Sequence, residues 1–250
     1  MRTPGSQGAR RPRPAPLHTL QTILLVAPIL LFSVIAHEIA HGYAALQQGD
    51  RTALDAGRLS WNPVRHVDPF FTLLLPLIML TGSSIFGRTV VFGGAKPVPV
   101  DPRNYRHLKR GDIIVSLAGV ATNFVIAIAC AVVIVLVGKL ATAVEALSPT
   151  VGILQAMMGW GIILNVSLIS FNLLPIPPLD GSHVMKYLLP RPLAIRYVQY
   201  GRYGLVVIML LLLVGQRVLA AWFYPAQVAI GRILDFVAPY LVASSTQWLS

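Results

Sequence analysis

Two histidines four residues apart with a glutamate beside the first, His37-Glu38-Ile39-Ala40-His41, form the strongest chemical pattern in the sequence. On a helix, residues four apart share a face, so the two imidazoles can grip one zinc ion. The intervening glutamate then reaches the attacking water and not the metal. The same short pattern arises by chance in soluble proteins. Here its surroundings, SVIAHEIAHGYAAL, are apolar, and three adjacent polar groups in such a run need a reason. The competing reading is a polar cluster satisfied by packing against other helices.

A hydrolytic zinc site takes three protein ligands and leaves one position open. The third ligand must come from elsewhere in the chain. His18 follows the N-terminal tail, and His66 and His107 sit in polar links. Asp180, in NLLPIPPLDGSH, stands in a proline-broken turn with Gly181 behind it, where irregular backbone can aim a carboxylate inward. His183 is its main rival as ligand. The alternative role for Asp180 is a helix N-cap for a segment starting near Ser182.

The elements that must position these groups are set by the composition. Of 250 residues, 55% are hydrophobic and 12% charged, against about a quarter charged in a soluble domain. That excludes a soluble domain, a disordered chain, a collagen-like fibre and a disulfide scaffold. Cys130, the single cysteine, lies in an apolar run. The expected fold is an all-α polytopic membrane protein with about 4–6 transmembrane helices, and with short β-like or re-entrant segments near the active site. Burying a carboxylate at membrane depth costs roughly 3 kcal/mol or more, so Glu38 and Asp180 read as functional. The net charge of +11 suits anionic lipid headgroups. No basic-aromatic patch supports nucleic-acid binding.

Residues 1–17 read as a flexible basic tail. The apolar run after it extends to about residue 46 without a small-residue cleavage site and contains the histidines, so it is a retained helix and not a signal peptide. A polar link at 49–67 has strand-like pieces at 56–61. The run at 69–83, interrupted by Pro76, is short against the roughly 20 residues of a straight span, and is either a thin span or re-entrant. Residues 84–111 are polar, and the alternating prolines of KPVPVDP favour extended backbone. Spans follow at 113–138, 152–174 and 203–224, and 226–243 spans or lies at the interface. The organisation expected is a tail at 1–17, an intramembrane core at 18–190 and C-terminal transmembrane or interfacial helices at 191–250.

Positive charge concentrates on the cytoplasmic side of a membrane protein. With 69–83 re-entrant, the links at 49–68, 84–111 and 185–202 share one side and hold thirteen Lys and Arg, against five in the tail and the 139–151 link. This places the N-terminus outside, in a multi-pass cell-membrane protein. His37 then lies about 16 residues into its helix, roughly 24 Å along it, toward the cytoplasmic end where Asp180 also arrives.

The ordered set HEIAHGYAA, HVDP at 66–69, GGAKPVPVDPRNYR at 93–106, AGVATNF at 118–124 and FNLLPIPPLDG at 171–181 resembles the site-2 protease family of intramembrane zinc metalloproteases. The match covers roughly residues 30–190 and looks like the short bacterial form, without a PDZ or nucleotide-sensing domain. By position, the resemblance implies one zinc per chain held by His37, His41 and Asp180, and Glu38 as general base. Asn123 would orient substrate or stabilise the oxyanion. Val120 stands where the family usually has proline, and Ser182 where a second glycine is common.

The implied function is an intramembrane zinc endopeptidase acting within or near transmembrane segments of membrane proteins. The extended pieces at 56–61 and 88–100 are candidates for edge pairing with an unwound substrate. The alternative function is a non-hydrolytic membrane zinc protein or transporter. Against a transporter, the 113–138 and 203–224 spans are almost wholly apolar. The partners expected are transmembrane substrates and the lipid bilayer, with homo-oligomerisation left open.

Overall fold

The computed structural model describes residues 16–66, 96–144 and 147–242. Among these it is helical without strands. Three long helices form the core: α1 (Pro16–Gln48), α3 (Leu108–Ala143) and α4 (Ser148–Asn172). A short α2 (Thr52–Asp55) follows α1, and α5 (Asp180–Leu188), α6 (Arg191–Tyr200), α7 (Gly204–Leu213) and α8 (Gln216–Val237) complete the chain.

Each long helix is a nearly uninterrupted apolar run, and in lipid only helices and closed barrels satisfy every backbone donor and acceptor. Ile23–Gln48, Leu108–Thr142 and Ser148–Asn172 are each long and apolar enough to cross a bilayer. At 1.5 Å per residue, α3 runs about 54 Å, well beyond a hydrocarbon core of about 30 Å. Its first turns, with Lys109, Arg110 and Asp112, are the polar part.

The 203–224 span does not form as one helix. The chain breaks at Val214–Gly215, and Arg191–Leu213 meets Gln216–Tyr240 at 89°. The Gly215 N–H caps the Leu211 carbonyl at 3.0 Å, and a Cβ at Gly215 would stand 2.5 Å from Leu211 Cδ1. A residue without a side chain lets the chain fold back there, just before polar Gln216 and Arg217. The described residues thus hold three spans, or four with this bent pair. The 69–83 run lies outside the described residues, as do 88–95.

Residues 56–61, expected to be strand-like, form a turn and irregular backbone. Gly57 takes φ +62°, and Arg65 donates to its carbonyl at 2.7 Å.

The core joins Ile29 of α1, Ala127, Cys130 and Ile134 of α3, Ile162 and Val166 of α4, and Val237 of α8. Lipid tails are as apolar as these side chains, so close packing and buried polar bonds, not water exclusion, hold such helices together. A Cβ on Gly161 would stand 2.6 Å from Cys130 Sγ. Asn165 donates to Ser33 Oγ at 2.8 Å, from α4 to α1. Gln155 donates to the Tyr240 carbonyl at 2.8 Å and accepts from the Val242 N–H at 2.9 Å, tying the end of α8 to α4.

At the C-terminal end of α1 the tie is Asp50, fully buried. Its carboxylate accepts from Thr52 N and Oγ1, from the Asp101 N–H at 2.7 Å and from Asn104 Nδ2 at 2.9 Å. Burial pushes its pKa up, but these bonds outweigh burial and hold it below the ordinary carboxylate value. A depressed folded pKa contributes stability that is present above the unfolded value of about 3.9 and is lost as pH falls below it. Asp50→Ala leaves buried donors unpaired at about 1–3 kcal/mol. The Asp101 and Asn104 amides should then exchange hydrogen about tenfold or more faster at neutral pH, and the wild type should lose protection below about pH 4. Unchanged exchange in the variant would show that Asp50 does not hold this link.

Candidate metal centre

His37, Glu38 and His41 lie inside the apolar span of α1, toward the end that meets the first turns of α3. His37 is 6% exposed. The two rings meet edge to face, with centroids 4.6 Å apart, and their Nε2 atoms are 3.0 Å apart.

Asp180 arrives from the other side of the sequence. After α4, Pro175, Pro177 and Pro178 withhold backbone donors and end the helix. Leu179 is the extended cap position of α5, and Asp180 is its first helical residue. The N-cap role considered for Asp180 is therefore taken by Leu179. Asp180 Oδ2 stands 3.3 Å from His37 Nε2 and 3.4 Å from His41 Nε2.

Three atoms thus form a triangle with edges of 3.0, 3.3 and 3.4 Å. Ligands bound to zinc at about 2.0–2.1 Å with tetrahedral angles stand about 3.3 Å apart. The donor set fits too. His41 Nδ1 lies 2.7 Å from the Val115 carbonyl, which calls for a proton on Nδ1 and leaves the Nε2 lone pair facing inward. A second nitrogen lone pair and a carboxylate oxygen converge on the same point. Such an arrangement is repulsive in an apolar surround unless a cation occupies it. Among the described residues these three form the one group of His, Cys, Asp or Glu side chains able to hold a metal ion.

The rival ligand, His183, turns elsewhere. Its Nδ1 lies 3.0 Å from Asp112 Oδ1. His66 is buried and bonds the Ser60 carbonyl through Nε2 at 2.7 Å, and His107 stands at the N-cap position of α3 without a side-chain capping bond.

Glu38 Oε2 accepts the Val98 N–H at 2.8 Å. Val98 sits in the irregular segment 96–100, between Pro97 and Pro99, which have no N–H to offer. Arg58 holds the same segment by its Lys96 carbonyl at 2.8 Å. Asn123 is fully buried, and neither its amide nitrogen nor its oxygen has a hydrogen-bond partner. It lies one turn beyond Gly119 on α3. A Cβ on Gly119 would stand 2.5–2.6 Å from three atoms of the His37 ring, so the ring is seated directly on the α3 backbone.

Three contributors were not singled out in the sequence: Asp112, Gly119 and Val98. Asp112 carries a signal, an acid at the first turn of a charge-free run. Gly119 lies in the AGVATNF element but was not weighed separately. Nothing local distinguishes Val98 except its two flanking prolines.

The chain is similar to known zinc metalloproteases. The model of peptidase family M50 matches residues 25–213. The protein named "Putative zinc metalloprotease YwhC" from Bacillus subtilis is 35% identical over 193 residues, which is 77% of this chain and 81% of that protein. "Putative zinc metalloprotease Rip2" of Mycolicibacterium smegmatis is 28% identical over 234 residues, 93% of this chain and 82% of its own length. Its namesake in Mycobacterium tuberculosis strain H37Rv is 26% identical over 209 residues, 84% and 73%. No solved structure matches the chain. With the family match spanning most of the polypeptide and running through both segments that form the candidate metal site, this chain belongs to peptidase family M50, the site-2 protease family of membrane metalloproteases.

Proposed function

We propose that this metalloprotease is an intramembrane endopeptidase that cuts membrane proteins within or near their transmembrane segments, using one zinc ion held by His37, His41 and Asp180. The observation that carries the reading is the triangle of Nε2, Nε2 and Oδ2 inside helices apolar enough to span the bilayer. A peptide bond must come to that depth to be cut. A substrate helix hides its carbonyls in i→i−4 bonds, so a stretch of it has to unwind first.

Zinc held by these residues would supply Lewis acidity, lowering the pKa of water toward neutral and polarising a carbonyl. The remaining chemistry belongs to the chain. Glu38 takes the proton of the attacking water and returns it to the leaving amine. The Val98 N–H holds Oε2 of that carboxylate, leaving the other oxygen to carry the proton. His41 is kept in its ligating tautomer by the Val115 carbonyl. Asn123 supplies an unpaired amide donor on the α3 stripe that meets His37, the role of a group that steadies the carbonyl oxygen as charge builds on it.

The end of the bundle that carries the site is the cytoplasmic one. The links at 49–66, 96–107 and 173–203 meet there and are rich in Lys and Arg, whereas the link between α3 and α4 follows only Lys139.

Glu38→Gln and Asn123→Ala should retain zinc at wild-type stoichiometry. Cleavage of a reconstituted membrane substrate should fall below detection in the first and by about 10²–10³ in kcat in the second. Normal cleavage by zinc-loaded Glu38→Gln would remove the assigned base. Gly119→Ala drives a methyl into the His37 ring. It should weaken zinc binding by at least about tenfold, measured by chelator competition, and an unchanged affinity would mean that the ring seat is not tight. For sidedness, Thr150→Cys in a Cys130→Ala background should react with an impermeant maleimide added to intact cells, while Arg103→Cys should not. The opposite pattern would invert the orientation.

A further inference from the structure

Asp180 sits at the start of a helix with little to hold it. The nine residues of α5 lie between the Pro175–Pro178 break and Leu189–Pro190. Proline at both ends interrupts the backbone hydrogen bonding that would join α5 rigidly to α4 or α6. What fixes this helix fixes the carboxylate at its first position.

One buried residue of α3 does so. Asp112 is 2% exposed and receives three side chains from α5. His183 Nδ1 meets its Oδ1 at 3.0 Å, the Tyr187 hydroxyl donates to Oδ2 at 2.9 Å, and Lys186 Nζ lies 2.5 Å from Oδ2. His183, Lys186 and Tyr187 are spaced by three and four residues, so they share one helical face. Asp180 is three residues before His183 and on that same face. Where α5 leaves the proline turn, Gly181 packs against the Leu173 and Leu174 carbonyls so closely that no Cβ fits. The helix is thus seated at its N-terminus by backbone contact and held against rotation one and two turns later by a carboxylate.

We infer that Asp112 is a positioning residue for the metal centre: through His183, Lys186 and Tyr187 it sets the rotation of α5 and thereby the position of Asp180. Its placement on α3 supports this. Asp112, Val115 and Gly119, spaced by three and four, form one stripe. Val115 orients His41, Gly119 receives the His37 ring, and Asp112 directs the element that carries Asp180. Each of the three proposed ligands is referred to the same stretch of one helix. The inference rests on the ligand assignment proposed above, and its test separates the two.

The test is a double-mutant cycle on the full-length protein in detergent, with zinc affinity read by chelator competition and folding by helicity and monodispersity. Asp112→Asn should weaken zinc binding about 10–100-fold, the range for groups that orient a ligand. Asp180→Ala should weaken it at least as much. If Asp112 acts through Asp180, adding Asp112→Asn to Asp180→Ala should change affinity by less than about twofold. Losses that multiply in the double variant would overturn the inference, because they would mean that Asp112 acts on the site by another route. An unaltered affinity in Asp112→Asn would overturn it as well. Should Asp112→Asn fail to fold, Lys186→Met with Tyr187→Phe removes two of the three donors at less buried positions and is read in the same cycle. Wild-type affinity in Asp180→Ala alone would instead refute the ligand assignment.

Discussion

The site depends on a missing methyl group. Gly119 lets the backbone of α3 lie against the imidazole of His37, with three ring atoms within 2.6 Å of where a Cβ would be. In a bilayer, helices gain little from hiding apolar surface from one another, and close backbone approach is a main source of their affinity. Here that approach has a second consequence. It fixes the ring against rotation without a bond to its Nδ1, which is buried and has no partner. A ligating histidine is ordinarily oriented by a hydrogen bond to its other nitrogen. Of the two proposed ligands, His41 follows that rule through the Val115 carbonyl, and His37 is held by contact.

The remainder of the site extends that constraint along one helix. With His37 seated on α3, the helix presents Val115 to His41 one turn away and Asn123 on the opposite flank. The polar atoms that converge there would repel one another in an apolar medium. With the proposed ligands, their stability as a group would depend on a cation, and metal binding and local order would be one equilibrium. The triangle's edges, from 3.0 to 3.4 Å, match the separation of ligands around a tetrahedral zinc.

Much of this was legible in the sequence because the decisive spacings are local. Pairing His37 with His41 needed only the helix period, whereas the proline-broken turn made Asp180 a candidate beside His183, and only the family resemblance chose between them. The choice between Asp180 and His183 was not local. They lie one helical turn apart, and what separates them is Asp112, which occupies His183 from 71 residues away. Residues 56–61 illustrate the opposite error. Short alternating pieces read as strand, but the chain turns at Gly57 and Arg58 reaches out to the carbonyls of 96–97. The break inside 203–224 was hidden for a related reason. Hydropathy records how apolar a run is and is blind to a glycine whose effect is geometric.

Both segments that bring polar atoms to the helices are proline-rich, and this follows from where they work. A loop near an active site in lipid cannot leave backbone donors unpaired, and an extended edge with free N–H groups invites unwanted pairing. Proline addresses both by deleting donors. In KPVPV, the prolines on either side of Val98 have none, and the Val98 N–H is spent on Glu38. In LPIPPLD, the prolines end α4 and narrow the turn, so that α5 begins at the residue whose carboxylate joins the histidines. Ring-imposed backbone supplies the stiffness that a hydrogen-bonded ladder would otherwise give. The N–H that holds Glu38 and the third proposed ligand, Asp180, are thus delivered by segments that would be weak as secondary structure, and whose weakness there is what frees single atoms to point at the candidate metal centre.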